Sequence, residues 1–97
     1  MDIKTKNFIF RNILDVIKVI VNLLQENKID ENKYKVHMDY VKKVLDIVLK
    51  DHFPNEYNLI LSKFKLIENQ DSSYDNKMYE VGEILIEFCE KYFVNNS

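Results

Sequence analysis

The sequence predicts an all-α fold, an antiparallel up-down four-helix bundle, on three observations. Apolar side chains recur at spacings of three and four along nearly the whole chain, the period of a helix that buries one face. A single Gly, a single Pro and a single Cys among 97 residues exclude turn-rich β, collagen-like and disulfide-stapled architectures. The breaks between periodic segments are short, so successive helices should run antiparallel. With 46% apolar residues and a net charge of −2, the chain has enough for one core and too much for disorder. Residues 1–97 therefore read as one helical domain, with 94–97 a frayed tail.

The first helix is expected over about residues 5–26. Arg11, Asp15, Lys18 and Asn22 form one narrow polar stripe, and Phe10, Ile13, Leu14, Ile17, Ile20, Val21 and Leu24 form the opposite face. Asn27-Lys28-Ile29 is the break, and Asp30 can cap the next helix. The second helix, about 31–52, has Tyr34, Met38, Val41, Leu45, Val48 and His52 alternating by four and three, a bundle seam. Phe53-Pro54 ends it, because proline lacks a donor and biases the preceding residue away from helical angles, yet suits a first helical turn. The third helix is expected over about 55–69. Its residues include many β-favouring types, but one isolated strand would have no sheet to join. Ser72 or Ser73 can cap the fourth, about 73–93, whose seam is Tyr74, Met78, Val81, Leu85, Phe88 and Tyr92. Gly82 lies inside this helix at a cost of about 1 kcal/mol against Ala, which a close helix–helix approach would justify.

Few residues carry chemistry. His37, His52 and Cys89 show no metal-ligand spacing, so no metal or cofactor is expected, and both histidines read as core or boundary residues on the apolar side of the second helix. A histidine on the second helix of a bundle invites comparison with phosphotransfer domains. Those need a Lys and a Gly after the histidine to keep it open to attack, and here Tyr40 and Val41 stand in those places. Glu87 and Glu90 near Cys89 should suppress its thiolate. One glycine cannot build a phosphate-cradling loop. No catalytic residue is therefore assigned, and the chain is not expected to be an enzyme.

The most apolar stretch, Phe8 to Leu24, is broken by Arg11, Asn12, Asp15, Lys18 and Asn22, short of the roughly 20 apolar residues of a membrane span. No signal-peptide cleavage pattern is present, and the lone cysteine suits a reducing cytoplasm. The near-neutral charge gives no footprint for nucleic acid.

What remains is surface. Every helix carries a second apolar stripe: Phe8, Val19 and Leu23; Val36, Tyr40 and Ile47; Leu59 and Leu66; and Tyr79, Ile86 and Phe93. Residues 71–97 carry six acidic and two basic side chains, and Glu80, Glu83, Glu87 and Glu90 share one arc of the fourth helix. Such a stripe is an ordinary solvated face or a dock for a basic partner. These features predict a small cytoplasmic protein-binding module, an inhibitor or immunity/antitoxin-type factor, with Tyr79, Ile86, Phe93 and the four glutamates as its interface. The alternative is a homodimeric structural or regulatory subunit, with the second stripes of the first and fourth helices at its two-fold axis.

Overall fold

In the computed structural model, which describes residues 1–26 and 28–94, the chain is an all-α four-helix bundle. Helix α1 spans Ile3–Leu24, α2 Glu31–Val48, α3 Pro54–Glu68 and α4 Tyr74–Cys89, and a π-helical turn, Glu90–Val94, prolongs α4. Asn27 of the expected first break and 95–97 of the expected tail lie outside the described residues; Val94 belongs to the π turn.

The helix starts follow local hydrogen bonds. Asp2 caps α1 by accepting from the Thr5 amide at 2.7 Å, which starts the helix two residues before the expected Thr5. That bond also holds the Asp2 carboxyl below its ordinary range. Asp30 accepts from the Lys33 amide at 2.8 Å, and Ser73 from the Asn76 amide at 3.1 Å, so Ser73 is the cap of α4. Pro54 occupies the first turn of α3.

Helix α2 stops at Val48, four residues short of the expected His52. The chain coils around the Leu49 carbonyl, which accepts from the amides of His52 (3.2 Å) and Phe53 (2.7 Å). Pro54 excludes helical angles at Phe53, so the helix must break before it. Leu49 is buried there in place of His52, which is exposed.

Helix α1 packs most extensively on α4 and then α2, and α3 leans on α4 more than on α2. The molecule measures 40 × 24 × 24 Å, two helices thick each way. One continuous core runs along the axis, with Ile9, Ile13, Val16 and Ile20 of α1, Val41 and Leu45 of α2, Phe64 of α3 and Met78, Val81 and Leu85 of α4 all shut from solvent. The core line of α1 is therefore 9-13-16-20-23. Leu23, expected on a second stripe, is buried, and Val21, expected inside, is 44% exposed. An apolar arc of about 220° by helical count leaves the orientation of α1 open until its two neighbours set it.

Candidate protein-interaction surface on the fourth helix

Of the expected interface residues, Tyr79 is 54% exposed and Ile86 36%. Phe93 departs from that stripe. It is half-buried, its ring 5.3 Å from Phe10, 5.8 Å from Phe88 and 6.1 Å from Phe53. The cause is the π turn. An α-helical count sets Phe93 above Ile86, but i→i+5 closure takes more residues per revolution, so Phe93 lags and swings inward.

The four glutamates do not form one stripe against one neighbour. Glu80, Glu83 and Glu87 border a groove shared with α3, lined also by Lys63, Leu66, Ile67, Gln70 and Ile84. Three carboxylates there face one ammonium. Farther along, Glu87 shares the same flank with Leu59, Ile60 and Lys91. Leu59 and Leu66, seven apart, stand 54% and 69% exposed on α3. By helical count Glu90 falls with Tyr79 and Ile86 on the flank toward α1, and Glu83 stands on the ridge between flanks. The Glu83 carboxylate, by hydrogen bond and charge, holds the Tyr79 phenol above its ordinary value.

Two close approaches fix how α1 lies along that second flank. Gly82 is buried, and a Cβ on it would stand 3.3 Å from Ile20 Cγ2. Phe10 meets Phe93. Position 20 thus pairs with 82 and 10 with 93, an antiparallel register. It sets Ile17 level with Ile86, Val21 between Tyr79 and Ile86, and Leu14 between Ile86 and Phe93. Val21 is exposed and Leu14 and Ile17 are half-buried. Beyond them, on the outer edge of α1, stand exposed Arg11 and Lys18. Periodicity puts Leu14, Ile17 and Val21 on the apolar face of α1; Ile17 does pack against the core, whereas Leu14 and Val21 lie farther out. The signal that could have moved them outward is Gly82, which marks the helix that comes closest to α4.

Cys89 is buried, and desolvation, not the expected influence of Glu87 and Glu90, pushes its thiol up to about 11. His37 Nδ1 lies 2.7 Å from the Lys33 carbonyl oxygen on a half-buried boundary, whereas His52 is exposed. Tyr34 is buried with its hydroxyl lacking a hydrogen-bond partner among the described residues, and burial raises its phenol to about 12. Among the described residues there is no cluster of three His, Cys, Asp or Glu side chains placed to hold a metal ion. Among them, too, no helix is long and apolar enough to cross a membrane. Compared with known family models, curated proteins and solved structures, the chain matches none.

Proposed function

We propose that this chain is a non-catalytic protein-binding module, an inhibitor or immunity/antitoxin-type factor of the cytoplasm, that docks a basic and apolar segment of its target on the groove between α3 and α4. The observation that carries the proposal is the pairing of Leu59 and Leu66, exposed at heptad spacing, with a groove walled by Glu80, Glu83 and Glu87. Seven-residue spacing matches the apolar face of a docking helix, which presents anchors every three to four residues. Covering exposed leucine contributes roughly 25 cal/mol per Å² removed from water. The carboxylates attract a basic partner and speed its encounter, and they repel nucleic acid. The single buried thiol is compatible with a reducing compartment.

The test is a quantitative pull-down with the wild-type protein, Leu66→Asp and Ile86→Asp, each checked for helix content. A stoichiometric basic partner should be retained by the wild type and by Ile86→Asp and lost by Leu66→Asp. Equal retention by Leu66→Asp would overturn the assignment of the groove.

A further inference from the structure

The α1 flank of α4 has a different charge layout from the groove. Its middle is apolar, with Val21 and Leu14 from α1 and Tyr79 and Ile86 from α4. One edge carries Glu83 and Glu90, and the other carries Arg11 and Lys18 with Asp15 of the same stripe between them, which leaves that edge net positive by one charge. None of these five joins an ion pair among the described residues, where the pairs are Lys33–Glu26, Lys35–Glu31, Lys42–Glu68 and Lys50–Asp46. A face with opposite charges on its two edges and an apolar centre is complementary to itself.

We infer that this face binds a second copy of the chain, forming a two-fold dimer whose axis runs parallel to the helices. Two simple arrangements place a two-fold axis in the plane of contact. With the axis across the helices, α4 lies on α4 and α1 on α1, and like charges meet. With the axis along the helices, each α4 lies over the α1 of the other copy and every residue keeps its height along the bundle. The register set by Gly82–Ile20 and Phe10–Phe93 places Glu83 level with positions 19 to 20 of α1 and Glu90 level with 12 to 13. Lys18 and Arg11 of the second copy then fall within about two residues, ~3 Å of helical rise, of those levels. Tyr79 and Ile86 close over Val21 and Leu14 between the two charge rows. Apolar contact supplies the affinity and the rows select the orientation, as flanking charges do in coiled coils. The inference goes beyond target binding and stands without it, because its apolar centre lies on the opposite flank of α4 from Leu59 and Leu66, and the two surfaces share only Glu83 on the ridge between them.

The test is sedimentation of the purified protein from micromolar to low-millimolar concentration, with Glu83→Lys, Lys18→Glu and Ile86→Asp alongside. The wild type should dimerise reversibly. Each charge reversal should raise the dissociation constant at least about tenfold, because it sets like charges opposite each other twice per dimer. Mixing Glu83→Lys with Lys18→Glu should restore a dimer containing one of each, since both charge rows are then opposite in sign. Ile86→Asp should be monomeric with unchanged helix content. A wild type that stays monomeric throughout overturns the inference. So does a Glu83→Lys variant as dimeric as the wild type, or a mixture that fails to recover.

Discussion

The two ends of the bundle are closed by different physics. At the end that holds the start of α1, the α2–α3 connection and the end of α4, five rings meet. Phe53 lies 5.2 Å from Phe88, edge to face, and 5.1 Å from Tyr92, and Phe10 covers Phe93 at 5.3 Å. The opposite end is latched by directional bonds. The Ile29 amide donates to Asp75 Oδ1 at 3.1 Å, and Lys77 Nζ donates to the Glu68 carbonyl at 2.9 Å while lying over the Tyr74 ring. Packed rings gain from the area they remove from water, with small geometric terms added. Latches give little net stability but fix the position of a loop, and breaking one leaves a buried group unsatisfied. The ring end should therefore hold most of the closing energy, and the latched end most of the positional precision.

The largest effect should come from deleting a ring. Phe88 is 6% exposed and touches Phe53, Tyr92 and Phe93. Phe88→Ala should cost about 3–5 kcal/mol, the range for a large buried aromatic. Thermal unfolding should show a fall in Tm of more than about 12 °C for a chain of this size. A cost below about 1 kcal/mol would mean that the rings merely cover an end that is held elsewhere.

Each end also buries one group that resists deprotonation: Cys89, raised from 9.0 to about 11, and Tyr34, raised from 10.0 to about 12. Both are neutral when protonated, and burial penalises the anion. Between the two values of each group the unfolded chain binds fewer protons than the folded one, so stability falls as pH rises. The stabilisation is fully present below the unfolded values. It is lost from pH 9.0 to about 11 for Cys89, and from pH 10.0 to about 12 for Tyr34. Each loss amounts to at most about 3 kcal/mol. Denaturant midpoints against pH should show the earlier loss vanish in Cys89→Ala and the later one in Tyr34→Phe. Tyr34→Phe should in addition be no less stable than the wild type at neutral pH, because it removes a hydroxyl that has no hydrogen-bond partner among the described residues. A flat alkaline profile in the wild type would show that both anions find solvent in the fold.

The contrast between the ends also explains what was legible beforehand. The helical period identified all four helices, and Asp30, Pro54 and the pair Ser72 and Ser73 marked the starts of the last three, because caps and prolines act within a few residues. The ring cluster was not legible, since its members come from α1, a connection and the last turn of α4. Nor was the π turn, which has no composition of its own. Among the residues expected at an interface, seven-residue spacing was enough to bring out the exposure of Tyr79 and Ile86. It failed at Phe93, where the π turn changes the count, and it could not divide the glutamates, because that division depends on which helix lies on each side of α4. Leu23 and Val21 exchanged roles for the same reason.

The smallest effect separates the ends most sharply. Asp75→Ala removes the acceptor of the Ile29 amide, and Ile29 is 3% exposed, so water has little access to replace it. The cost should be about 1–2 kcal/mol, with most of it recovered by Asp75→Asn, which keeps the acceptor. At the ring end, Tyr92 donates to Glu56 Oε2 at 2.9 Å, but Glu56 is only half-buried. Tyr92→Phe keeps the ring and leaves a carboxylate that water can solvate, so it should cost no more than about 0.5 kcal/mol. The pair is read by denaturant unfolding at one pH. A larger loss for Tyr92→Phe than for Asp75→Ala would reverse the assignment, making the ring end depend on the Tyr92–Glu56 bond and the latched end on packing.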